Sequence, residues 1–96
     1  MSSPRITAFL IDADNEEKFA QHGLSARQVV QVLDGAHLVV RNRKRRRARY
    51  LIIGRDNGGQ CIAIPVAPTY EPNNVGPVTA WRCKEEERNR LERERI

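Results

Sequence analysis

Hydrophobic positions along this chain follow a helical period up to Gly35, after one short opening strand, and a strand-like period beyond it. Positions 6–11 form the opening apolar run. Pro4, just before it, points to a strand at a sheet edge. Asp12, Asp14 and Asn15 end the run. Asp14 with Glu17 fits a capping box, in which the aspartate accepts a free amide of the first turn and the glutamate reaches back. A helix over 15–22 follows, and Gly23 can take the left-handed conformation that closes it. Ser25 and Gln28 make a second capping box, with Leu24 and Val29 spaced as a hydrophobic staple. Val29, Val30, Val32 and Leu33 supply that helix's apolar side, and Asp34-Gly35 stops it. Two capped helices so closely joined must pack as a pair.

Strands are expected at 37–41, 49–54 and 60–66. The turn Asp56-Asn57-Gly58-Gly59 joins the last two into a hairpin, and Pro65 weakens its far end. Positions 67–77 hold three prolines, two asparagines and a glycine, and read as an ordered loop. A final strand at 78–82 alternates, with Val78, Ala80 and Arg82 on one face and Thr79 and Trp81 on the other. Positions 84–96 favour helix and carry the Glu86–Arg90 pair, but Leu91 and Ile96 are their only apolar residues, so packing adds little. The expected architecture is one α+β domain over residues 1–96. Its helices lie on a three- to five-stranded antiparallel sheet in the order β-α-α-β-β-β-β-α, and residues 1–4 form a flexible terminus.

Charge changes this picture at one place. Seven of the nine positions 41–49 are Lys or Arg, and they carry the whole excess of the +5 formal charge: the rest of the chain is slightly negative. A basic loop at 41–48 therefore feeds directly into a strand, and its cations stand beside a rigid sheet. Hydrophobic residues make up 40% and charged residues 30%, which favours a folded chain over a disordered one. No stretch is long enough to span a membrane, and the first residues lack a secretory signal pattern. Cys61 and Cys83 are too few and too far apart in sequence for a disulfide framework or a zinc site. They read as reduced thiols in a cytoplasmic protein.

Three groups can carry chemistry. Arg41, Arg43, Lys44, Arg45, Arg46 and Arg47 suit a ligand with many phosphates, and nucleic acid is the commonest. Edge protection alone rarely needs six adjacent cations. Arg49, Arg55 and Arg82 lie in or at the ends of expected strands. There they either stabilise charge developing on a phosphate or pair with Glu85, Glu86 or Glu87. His22 has an imidazole suited to proton transfer, but it also sits at a helix C-terminus, where a cation is favoured structurally. Trp81 reads as core or as a lid under the last helix. No paired-carboxylate, metal-ligand or phosphate-loop pattern is present in the sequence.

The segments Lys18-x-x-x-His22-Gly23-Leu24-Ser25, Arg49-Tyr50-Leu51-Ile52-Ile53-Gly54-Arg55 and Val78-Thr79-Ala80-Trp81-Arg82, followed by a Glu/Arg-rich helix, resemble the BrnT toxins. The similarity runs from residue 6 to residue 90. It implies a RelE-like fold and a type II toxin that cleaves RNA without a metal or other cofactor. In such an enzyme the 2′-hydroxyl attacks the adjacent phosphate. The resemblance also implies a small ribbon-helix-helix antitoxin partner, with assembly as a homodimer or a toxin–antitoxin hetero-oligomer. Arg49 and Arg82 match the family's strand arginines, and His22 matches its HG histidine. Ala48 stands where the family usually has an acidic residue, and Trp81 where it has a small one. Three function classes remain: an RNA-cleaving toxin using Arg49, Arg55, Arg82 and His22, a non-catalytic nucleic-acid-binding module, and a subunit that docks an acidic protein.

Overall fold

The computed structural model describes residues 6–42 and 48–94, so the expectations for residues 1–4, for Arg43, Lys44, Arg45, Arg46 and Arg47, and for Ile96 lie outside the described residues. The chain is a small α+β fold: β1 (Ala8–Phe9), α1 (Ala13–Gln21), α2 (Ala26–Asp34), β2 (His37–Arg41), β3 (Tyr50–Arg55), β4 (Cys61–Pro68), β5 (Asn74–Pro77), β6 (Trp81–Arg82) and α3 (Glu85–Glu94). The sheet has six strands and runs β1-β5-β4-β3-β2, with β6 also paired to β4. It is mixed, because β1 lies parallel to β5.

The sheet therefore differs from the expected antiparallel one of three to five strands. The difference arises in 67–77. β4 runs on to Pro68, and its extra length offers an edge to Asn74–Pro77, whose Val75 is buried. β5 then pairs with the opening strand on its other side, with Thr7 N–H donating to Asn73 O at 2.8 Å and Leu10 N–H to Val75 O at 2.9 Å. Pro65 lies inside β4 instead of ending it. Its carbonyl accepts from Val78 N–H at 2.8 Å, so its ring nitrogen faces the same side, between the stretches paired to β5 and β6. No ladder donor is missed there.

Both helices start on capping boxes. α2 uses the expected pair: Ser25 Oγ accepts from Gln28 N–H at 3.2 Å and Gln28 Oε1 accepts from Ser25 N–H at 2.9 Å. α1 does not use Asp14 and Glu17. Its cap is Asp12, whose side chain accepts from Asn15 N–H at 2.8 Å, while Asn15 Oδ1 accepts from Asp12 N–H at 3.0 Å. The earlier start has a tertiary cause, because the Asn15 amide also donates to Pro77 O at 2.8 Å and ties the helix to β5. Gly23, at φ +72°, takes the left-handed turn between the helices.

The sheet separates two cores. On one face Phe19, Leu24, Val29 and Val32 of the helical half pack on Ile52, Ile62, Ile64 and Val66. Burying each large side chain there stabilises by about 1.5–3 kcal/mol. α2 crosses β3 at Gly54, where an added Cβ would stand 2.7 Å from Val32 Cγ1 and 2.9 Å from His37 Cβ. On the other face Leu91 of α3 packs on Ile53, Cys61, Ala63 and Cys83.

Cys61 and Cys83 form a disulfide, contrary to the expectation of reduced thiols. Their sequence separation of 22 misled, because β6 returns to pair with β4: Ile62 faces Arg82 and Cys83 N–H donates to Cys61 O at 2.9 Å. The two Cα atoms lie 5.3 Å apart, within the usual range for a bridge. The bond removes the thiol basis for a cytoplasmic location. Among the described residues, no helix is long and apolar enough to cross a membrane.

Candidate nucleic-acid interface

β2 and β3 hold the two ends of the basic segment together. Arg41 faces Tyr50, and one step further Asn42 N–H donates to Arg49 O at 3.0 Å. Arg41 and Arg49 are both exposed, while Ala48 is fully buried.

The strand arginines do not converge. Tyr50 and Ile52 belong to the core under α1 and α2, whereas Leu51 and Ile53 belong to the core under α3. Alternation therefore directs Arg49 to the α3 face. Arg82 faces Ile62, a residue of the α1–α2 core, and so lies on the opposite face. The two are also separated along the sheet. Ile62 pairs with Gly54, and the five steps from Arg49 to Gly54 span roughly 17 Å. The expectation of one cleft lined by both is corrected by this register. Arg55 forms an ion pair with Glu92 of α3, so its partner is not among Glu85, Glu86 and Glu87.

Arg82 has a different neighbour. A Cβ built on Gly23 would lie 3.3 Å from Arg82 Nη2 and 3.4 Å from Nη1, so the guanidinium rests on the turn that follows His22. A glycine permits that approach. His22 is exposed, and its backbone N–H donates to Phe19 O at 3.0 Å. The structure thus joins the His22–Gly23 turn with Arg82, and leaves Arg49 and Arg55 elsewhere. Among the described residues, no three His, Cys, Asp or Glu side chains gather where they could hold a metal.

A feature that sequence reasoning missed lies on the α3 face. A groove of about 400 Å³ runs between α3 and the β2–β3 ribbon, floored by Val40, Leu51 and Ile53 and walled by Trp81. Lys84, Arg90 and the strand-end Arg41 border it together with the carboxylates of Glu86 and Glu87. The ring of Trp81 is fixed through its Nε1–H, which donates to Glu87 Oε1 at 3.1 Å and Oε2 at 3.3 Å. Glu87 Oε1 also accepts from Lys84 N–H at 2.8 Å, which satisfies an open amide at the start of α3. Lys84 Nζ lies 5.8 Å from the Trp81 ring centroid. The available signal was α3 itself, since a helix with a single buried residue cannot cover a sheet face whose apolar positions recur at period two. Neither the known family models nor the curated proteins contain a match to this chain.

Proposed function

We propose that this chain is an RNA-directed protein that grips the nucleic-acid backbone with the basic connection between β2 and β3. One observation carries the reading: seven cations fall within positions 41–49, and the two ends of that run are pinned side by side by the Asn42–Arg49 hydrogen bond. Cations based on a paired ribbon lose less freedom on meeting phosphates than cations on a free tail. If about five phosphates are contacted, log affinity falls against log salt with a slope of roughly −3.5 for a single strand and −4.5 for a duplex. Fluorescence anisotropy with labelled RNA across a salt series measures that slope. Binding that ignores ionic strength defeats the proposal.

A second reading is favoured by the placement of Arg82 on the His22–Gly23 turn. In it the chain is the metal-independent endoribonuclease of a toxin–antitoxin pair, with a ribbon-helix-helix antitoxin as partner. His22 would move a proton and Arg82 would stabilise the charge on the attacked phosphate. Arg49 and Arg55 have no part in that corner. Expression of the wild type should then arrest growth, and Arg82→Ala or His22→Ala should relieve the arrest. Equal growth of the three strains removes this reading.

A further inference from the structure

We infer that Tyr70, on the turn between β4 and β5, is the stacking platform for one unpaired base of a single-stranded RNA whose neighbouring phosphates lie on Arg41 and Arg49. This rests on the reading of the chain as an RNA-binding protein and adds how it selects single strands. The topology brings the three residues to one end of the sheet. Arg41, the last residue of β2, faces Tyr50, and Tyr50 faces Val66 of β4. Arg49 therefore comes level with Ala67, roughly 5 Å away on the neighbouring strand. Tyr70 follows three residues later, so at most about 10 Å of chain separates it from that level. A short single strand spans that distance.

The ring is also presented for contact. Tyr70 is 105% exposed, against 49% and 44% for Leu10 and Val30, the other large apolar side chains in solvent. No neighbour has to move before a base lies on it. The backbone under the ring is already fixed. Thr69 Oγ1 donates to Asn74 O at 2.9 Å and accepts from Glu71 N–H at 3.2 Å, and Asn74 N–H donates to Glu71 O at 3.2 Å. A tyrosine on a held turn has few torsions left to lose, so stacking costs little entropy. Cations grip phosphates without help from an aromatic ring, whereas the ring offers its face to any unstacked base. A duplex keeps its bases stacked and has no such base to give. Glu71, exposed beside Tyr70, opposes the phosphates, but the seven cations within positions 41–49 outweigh it.

The test is fluorescence anisotropy at low salt with a labelled single-stranded oligoribonucleotide, a duplex and an abasic strand of equal phosphate number. Tyr70→Ala should lose on the order of tenfold in affinity for the single strand. Its salt slope, its duplex binding and its abasic binding should match the wild type. Tyr70→Phe keeps the ring and should bind like the wild type. Equal single-strand affinity of the wild type and Tyr70→Ala overturns the assignment and leaves the RNA reading standing. So does an equal loss on the abasic strand, or a phenylalanine variant as weak as the alanine one. If an acidic peptide binds and shows the same tenfold dependence on Tyr70, the ring serves a protein dock and the assignment falls. If no nucleic acid binds the wild type at low salt, both readings fall.

Discussion

The Cys61–Cys83 bridge should contribute about 3 kcal/mol to folding. It closes a 22-residue separation, and constraining a loop of that size in the unfolded chain is worth about this much by loop entropy. Both cysteines are buried, at 7% and 5% exposure, in the cluster that seats Leu91, so the bond holds the strand that leads into α3. For a domain of 96 residues, a urea m-value of about 1–1.5 kcal/mol/M turns the loss into a midpoint shift of roughly 2–3 M. A domain stable by about 5–15 kcal/mol survives it, but less securely. The assay is urea unfolding of the oxidised and reduced protein, followed by far-ultraviolet circular dichroism and by Trp81 emission. Because β6 and α3 meet at this bridge, Trp81 emission should change at lower urea than the dichroism once the bond is reduced. Two results would refute the reasoning. One is a pair of freely labelled thiols in the denatured protein without reductant, which denies the bond. The other is a midpoint unchanged by reduction, which denies its contribution.

Three further outcomes follow from single positions. Gly54→Ala should destabilise by about 1–3 kcal/mol in the same urea assay, because the new methyl meets β-branched Val32 in a helix and His37 Cβ, neither of which can step aside cheaply. A double-mutant cycle on Arg55 and Glu92 should give a coupling below about 1 kcal/mol, since the side chains are 33% and 52% exposed and water screens the pair. Replacing Arg41 and Arg49 together by alanine should flatten the single-strand salt slope by about 1.4, whatever the RNA sequence, as expected for two lost phosphate contacts.

Much of the frame was legible in the residues because local chemistry decided it. Ser25 with Gln28, the glycine at position 23, the strand at His37–Arg41 and the Asp56–Gly59 turn all lie where spacing and turn chemistry put them. What failed depended on contacts distant in sequence. Asp14 and Glu17 satisfy the capping pattern as well as Asp12 and Asn15 do, and only the Asn15–Pro77 hydrogen bond separates them. The strand at Asn74–Pro77 exists because β4 offers it an edge, which no property of that segment announces. The disulfide depends on the return of β6, so sequence spacing said nothing about it. The arginine cleft failed for a related reason: shared strand character says nothing about shared face, and face depends on register.

The division of faces bears on how the chain works. His22, Gly23 and Arg82, the residues of the proposed ribonuclease corner, gather on the side of α1 and α2. Trp81 and the end of the basic run do otherwise. Trp81 faces Ala63 on the α3 side, and the unusually dense cations end at Arg49, which alternates to that side as well. Trp81 and Arg82 are adjacent, so the strand that carries Arg82 turns its neighbour to the other face. The large ring at position 81 therefore cannot crowd the His22 corner; it builds the wall of the groove instead. α3, with only Leu91 buried among its described residues, covers Ile53 but leaves Val40 and Leu51 half-buried. Were the chain both to contact a nucleic-acid strand through Arg49 and to carry chemistry at the His22 corner, as proposed, the two would be separable by mutation, because Arg49 and Arg82 lie on opposite faces of one sheet.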